Sequence, residues 1–334
     1  MGVGLRGSER VGRPGKRWSP DRGHELPLIK EGAEAAAAER EAARRTKSRT
    51  ELSRHPNFEQ VSPEVGELDE AAVDEAMRDN ADDTLAMIAD LTAATDPKLR
   101  ALAKRLAGRL MLDLASPVSR NRRGVGRMVT GRYRDDGDID LDASVEAFER
   151  RGAKRRVRTE ELRVRTWTRK DTALCLVVDR SGSMGGKPLA TSAVAAAAVA
   201  TREPKDYSVL AFGRDVVVAK SQDVPRSGEE VVNSVLTLRG FGTTDLASAL
   251  RAAAEQLSRS TAARKVVVLL SDCRANEPGD ITAAARSLDE LCIVAPEGDD
   301  AEARSFAAET GARVATVAGP SEIPAVFATI LDRV

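Results

Sequence analysis

Three short segments in the second half of the chain carry a set of hard oxygen donors. Asp179, Ser181 and Ser183 alternate in VVDRSGSM, GTTDLASAL offers Thr244 or its neighbour Thr243, and LLSD ends on Asp272. Two carboxylates and three hydroxyls suit Mg2+ (or Mn2+) rather than zinc, which prefers nitrogen and sulfur. Mg2+ takes octahedral coordination near ~2.1 Å and keeps several of its waters. Because most of these donors are neutral, the protein leaves such a cation only partly neutralised. A carboxylate from another protein is then a natural further ligand.

Other chemistries fit these residues poorly. SGSMGGKP departs from a phosphate-binding P-loop twice: Ser181 stands where the first glycine belongs, and Pro188 replaces the terminal Ser or Thr. Asp179 lacks the second aspartate two residues on that a phosphoryl-accepting carboxylate of the haloacid dehalogenase type requires, since Ser181 is there. A nucleophilic Ser183 needs a histidine, and the only two, His24 and His55, lie far upstream. The expectation is a binding module with no catalytic constellation and no bound organic cofactor.

The elements around these segments place the donors together. Apolar runs such as LCLVV and VVVLL read as parallel strands buried on both faces. Strands are predicted at 173–179, 207–213, 216–220, 265–271, 291–295 and 313–317, with helices near 188–201, 228–238, 246–258, 280–288, 300–309 and 322–331. Such alternation implies an α/β fold, a doubly wound and mostly parallel sheet flanked by helices, Rossmann-like in its layering. Ligands of these sheets bind at the carboxyl ends of the strands, where Asp179 and Asp272 fall.

The rest of the 334 residues divides by composition. Residues 1–65, rich in Gly, Pro, Arg, Glu and Ala, are expected to be mostly disordered, with at most a transient helix over 31–45. Residues 66–115 predict a helical hairpin: an acidic helix over 69–91, then a helix started by Asp96-Pro97 with Leu99, Leu102, Leu106, Leu110 and Leu114 on one stripe. The acidic face reads chiefly as a solvated surface bridged to its basic neighbour, and secondarily as a docking surface. Residues 116–170 read as a charged connector and 171–334 as the α/β domain. The Arg blocks around DDGDIDLD do not make a nucleic-acid site, given the acidic run between them and an aromatic content of only 3%. Formal net charge is zero, no run approaches a membrane span, and Cys175, Cys273 and Cys292 suggest no disulfide framework. With no signal-like N-terminus either, a cytoplasmic location without membrane or nucleic-acid partners is expected.

The three donor segments resemble the metal ion-dependent adhesion site (MIDAS) of von Willebrand factor A (VWA) domains. Asp-x-Ser-x-Ser matches at 179, 181 and 183, the tetrapeptide SGSM is typical, and the resemblance assigns the threonine role to Thr244, six residues before Leu250, and the distal aspartate role to Asp272. LLSDCRAN is similar to LLTDGRAN of magnesium and cobalt chelatase D subunits, with Cys273 where glycine is usual. Gly137-Asp138-Ile139-Asp140-Leu141, followed by a basic block and a VWA strand, resembles CoxE-like VWA proteins, which act beside MoxR-type AAA+ ATPases. Residues 1–150 have neither a Walker motif nor room for the AAA+ module of the D subunits. The resemblance therefore implies an Mg2+-dependent adaptor that captures an acidic residue of a MoxR-type AAA+ ATPase or its client during maturation or metal-cofactor insertion. It implies, as the alternative, a chelatase-like subunit of a metal-tetrapyrrole insertion complex. A free-standing adhesion module is a third reading, disfavoured by the lack of a secretion signal.

Overall fold

The structure is a computed structural model in which residues 29–120, 127–132, 138–149, 162–168, 172–180, 185–238, 244–274 and 279–332 are described. Among them, one seven-stranded sheet has the order β1 (Ile29–Lys30), β7 (Val216–Lys220), β6 (Tyr207–Phe212), β5 (Thr172–Asp179), β8 (Arg264–Leu270), β9 (Glu290–Pro296) and β10 (Arg313–Val317). Neighbours run parallel except β6 and β7. From β5 the chain winds outward one way to β6 and then returns to β8 on the other side. This is the expected doubly wound α/β fold, with its switch point at the carboxyl ends of β5 and β8.

Strand alternation splits the core into two layers. Leu174, Leu176 and Val178 of β5 face one cluster; Ala173, Cys175 and Val177 face the other. The second face is covered by α10 (Leu246–Ser258), α11 (Ile281–Arg286) and α12 (Ala301–Thr310). The first is covered by α8 (Gly186–Arg202), α9 (Gly228–Thr237) and α13 (Ile323–Asp332), and α8 is itself buried under α5 (Ala81–Leu91) and α6 (Pro97–Arg120). A run of alanines in α8, from Ala195 to Ala198, lets helices close in on both sides. No helix of the described residues is long and apolar enough to cross a membrane.

Residues 29–65 differ from the expectation of disorder. They form β1 on the edge of the sheet, α1 (Ala33–Ala42), α2 (Arg49–Leu52) and α3 (Phe58–Val61). Leu52, Phe58 and Val61 are buried in the first core cluster, so few apolar residues suffice when each meets a preformed surface. Polar anchors complete the docking. Glu31 accepts from Arg259 and Ser221, and Lys30 pairs with Asp215 at 2.6 Å. Residues 1–28 lie outside the described residues.

The predicted helix over 69–91 is two helices, α4 (Glu70–Asp79) and α5. Asn80, with φ −153° and ψ 95°, ends the first and caps the second through the Asp83 amide. In α6 the buried stripe is Leu99, Ala103, Leu106, Ala107, Met111 and Ala115, so Leu102, Leu110 and Leu114 flank it. Arg109 of α6 bridges Glu70 of α4, as two charged faces side by side should. These helices are a further layer on the sheet's core, continuous with it.

The charged connector is also structured in part. β2 (Arg127–Arg132), β4 (Arg163–Thr168) and β3 (Asp138–Ile139) form an antiparallel sheet in that order, followed after β3 by α7 (Leu141–Glu149). Buried Asp140 accepts from Thr130 at 2.8 Å and from the Ala143 amide, tying β2 to the start of α7. Arginines at both ends of RMVTGR and at alternate positions of RVRTWT disguise strands as basic blocks.

Phe58→Ala should therefore destabilise the full chain by about 3–5 kcal/mol in chemical denaturation, as a buried aromatic does. An effect below about 0.5 kcal/mol would show that residues 49–61 are a surface appendage. Arg259 holds the Glu31 carboxyl down to about 2, against burial and with help from Ser221 and Gln256. A depressed carboxylate stabilises the fold above its unfolded value of 4.5, and that contribution disappears as pH falls from there towards 2. Glu31→Gln should remove on the order of 1 kcal/mol at neutral pH and flatten this part of the acid profile.

Candidate metal centre

β5 and β8 lie side by side with Val177 opposite Leu269 and Val178 opposite Leu270, so Asp179 and Ser271 leave the sheet at the same edge. There the Ser271 hydroxyl donates to Asp179 Oδ2 at 2.7 Å and accepts from the Cys273 amide at 3.0 Å. Asp272 follows at once, and its Oδ1 accepts from the Arg274 amide at 2.9 Å. Each carboxylate is thus fixed at one oxygen by a local donor.

The third segment is tied in through β6, the other neighbour of β5. The Arg180 amide donates to Phe212 O at 2.7 Å, and the Asp245 amide donates to Gly213 O at 3.0 Å. Asp245 also caps α10, accepting from the Ser248 amide at 3.0 Å and its hydroxyl at 2.8 Å. Thr244, one residue earlier, is held at the same edge. Asp179, Thr244 and Asp272 therefore lie at the same carboxyl end of the sheet, while Ser181, Ser183 and Thr243 lie outside the described residues.

One feature fits this set to a cation. Thr244 is 1% exposed, and its buried Oγ1 has no hydrogen-bond partner among the described residues. An unsatisfied buried hydroxyl costs about 1–3 kcal/mol, and in a native structure it calls for an explanation such as an ion. Among the described residues no group of three or more His, Cys, Asp or Glu side chains is placed to hold a metal. A cation at this edge would therefore rest on hydroxyls as much as on carboxylates. Mg2+ and Mn2+ are the ions whose chemistry suits hydroxyl and carboxylate donors of this kind.

The surroundings are electrostatically mixed. Burial, and then the charges of Asp272 and Asp179, push the Cys273 thiol up to about 12, so it stays neutral. Cys273 is the one non-glycine with positive φ among the described residues, at 63°, where an L side chain costs roughly 1–2 kcal/mol. That strain accounts for glycine being usual at this position in the resemblance. Burial lowers the Arg180 pKa against the pull of Asp215 and Asp179, and its Nη2 donates to Asp215 O at 3.4 Å.

Ser271 is the residue that sequence reading missed. Its signal was positional: it follows the last residue of β8, opposite Asp179 in the β5 register. Metal-ligand orientation by such partners is commonly worth 10–100-fold in affinity. Ser271→Ala should weaken Mn2+ binding by about tenfold or more in calorimetry, with the melting temperature little changed. Thr244→Val should leave the metal-free protein as stable or about 1 kcal/mol more stable, because it removes an unsatisfied buried hydroxyl, yet weaken Mn2+ binding. A marked loss of metal-free stability would mean that the hydroxyl has a protein partner instead.

The chain is similar to several known proteins. The chain is 34% identical over 110 residues to the uncharacterized protein sll0103 of Synechocystis sp., a match covering 32% of this chain and 26% of that protein. It thus spans about a quarter of the length of that curated relative. Among solved structures it is similar to von Willebrand factor type A from Catenulispora acidiphila, at 19% identity and TM-score 0.39 over 49% of this chain and 43% of that one. It is also similar to an aerotolerance-related membrane protein from Bacteroides fragilis, at 16% identity and TM-score 0.39 over 48% of this chain and 100% of that one. The sequence pattern of VWA domain containing CoxE-like proteins matches residues 90–325, more than two thirds of the chain. This protein belongs to the family of VWA domain containing CoxE-like proteins.

Proposed function

We propose that the chain is an Mg2+-dependent protein-binding adaptor, whose metal at the MIDAS captures a carboxylate of a partner. The observation that carries this reading is the buried Thr244 hydroxyl, without a partner among the described residues, at the edge that also bears Asp179 and Asp272. A cation completing that set meets mostly neutral protein ligands. Two carboxylates balance its formal charge, but octahedral Mg2+ keeps several waters, and a partner carboxylate displacing one of them makes a directional bond. The resemblance of GDIDL and LLSDCRAN to CoxE-like and chelatase segments makes a MoxR-type AAA+ ATPase, or its client in maturation or metal-cofactor insertion, the partner of choice. The role is binding rather than catalysis, since the donor set has no base or nucleophile pair.

Metal-mediated capture and simple charge attraction respond differently to conditions. Exposed ion pairs contribute about 0–1 kcal/mol and fade with salt, whereas a metal–carboxylate bond is lost to chelation. With the co-purifying ATPase or client as bait, EDTA or Ser181→Ala/Ser183→Ala should release the partner at low ionic strength, and moderate salt with Mg2+ should leave the complex intact. Release by salt and indifference to EDTA would instead assign the contact to the charged surfaces of residues 64–170.

A further inference from the structure

Helix α8 begins immediately after the segment that carries Ser181 and Ser183, and its own sequence does not cap it. The N-cap is Gly185, which has no side chain to accept from the first amides, and no local cap bond is made. Helix starts lacking such an acceptor expose N–H groups that must find one elsewhere. Here it comes from 96 residues upstream: Oδ1 of Asp90, in α5, accepts from the Gly186 amide at 3.1 Å.

Asp90 is built for that contact. Its side chain is 6% exposed, and its Oδ2 meets Lys47 Nζ at 2.7 Å and His55 Nε2 at 3.1 Å. Lys47 is itself fixed, its amide donating to Ala93 O at 2.7 Å and its carbonyl accepting from the Thr95 amide at 2.9 Å. Burial alone would raise the Asp90 carboxyl, but the hydrogen bonds from His55, Lys47 and the Gly186 amide prevail and hold it at about 2. The glycine pair makes room: a Cβ at Gly185 would lie 3.2 Å from Lys47 Nζ and 3.6 Å from Asp90 Oδ1, and Gly186 takes φ +57°. A buried anion at a helix N-terminus is also favoured by the helix dipole. Asp83, one turn inside the start of α5, pairs with Lys187 at 2.8 Å and braces the same helix start.

We propose that Asp90, clamped by Lys47 and His55, is a positioning residue for the metal centre. It provides the cap that α8 lacks and so fixes the point where the chain bearing Ser181 and Ser183 re-enters the helix. The N-terminal layer is then part of the metal site's scaffold, and metal affinity depends on residues 47–55 although none of them is a ligand. This inference rests on the metal-binding reading above.

The test uses the full-length protein with Mn2+ as probe, in wild type, Asp90→Ala, Asp90→Asn and Lys47→Gln. Two quantities are read: Mn2+ affinity by calorimetry, and amide-exchange protection of residues 186–190 without metal. Asp90→Ala should weaken Mn2+ by about tenfold or more, the scale of other ligand-orienting contacts, and should lose protection at the start of α8. Asp90→Asn keeps an acceptor for the Gly186 amide but loses the charged anchor to Lys47, so it should retain clearly more of both readouts than Asp90→Ala, with a lowered melting temperature. Should Asp90→Ala fail to fold, Lys47→Gln, which frees the carboxylate from one anchor, should show the same two losses in smaller measure. Variants that lose thermal stability but bind Mn2+ like wild type would overturn the proposal and leave Asp90 a purely structural residue. Wild type that binds no Mn2+ would refute the metal-binding reading. Wild type that binds Mn2+, with exchange at 186–190 unaltered by Asp90→Ala, would refute the brace alone.

Discussion

Everything at the carboxyl edge depends on β5 being buried on both faces. Six successive residues, Ala173 to Val178, are fully enclosed, so this strand has no place for a polar side chain until it leaves the sheet. Asp179 is the first position where a carboxylate can be tolerated, and the parallel register with β8 brings Ser271 and Asp272 to the same height. Close packing on both sides prevents the strand from sliding. The positions of the donors are set by apolar burial rather than by interactions among the donors themselves. The Thr244 hydroxyl, which has no partner among the described residues, is likewise held in place by the scaffold without the hydrogen bond it would normally make.

The N-terminal layer shows a second principle: charge used as a fastener. Glu31 with Arg259, Lys30 with Asp215, and Asp90 with Lys47 and His55 join distant parts of the chain, each partly or wholly out of water. Such pairs contribute modest net energy, since desolvation offsets much of the attraction, but breaking one leaves a buried charge uncompensated. They therefore specify where a segment docks more than how stable the whole becomes. The energy of docking comes from Leu52, Phe58, Val61 and the buried stripe of α6.

Much of this was legible in the sequence, and the reasons differ by region. Val216–Lys220 was read to the residue because an apolar run bounded by turns has few alternative interpretations, and Arg313–Val317 because β-branched residues recur there between a helix and a turn. That Asp179 and the segment ending on Asp272 leave the carboxyl ends of neighbouring strands was legible because each follows an apolar strand run. Residues 29–65 were misread because their order comes from contacts across more than a hundred residues, as in Glu31 with Arg259, and leaves no local periodicity. The small antiparallel sheet was hidden because arginines flank its few apolar residues, as Arg163 and Arg165 do buried Val164. Ser271 escaped notice because its role appears only once β5 and β8 are aligned, and the Asp90 cap because a tertiary acceptor replaces a local capping residue.

The proposed function requires one divalent cation at the carboxyl edge between β5 and β8. Anomalous diffraction at the manganese edge, from crystals of the full chain grown with Mn2+, tests this most directly. A single strong peak is expected within coordinating distance of Asp179, Thr244 Oγ1 and the Asp272 side, at about 2.1–2.3 Å from its nearest oxygens. No peak there at saturating Mn2+, or a peak only on the acidic surface of α4, would contradict it.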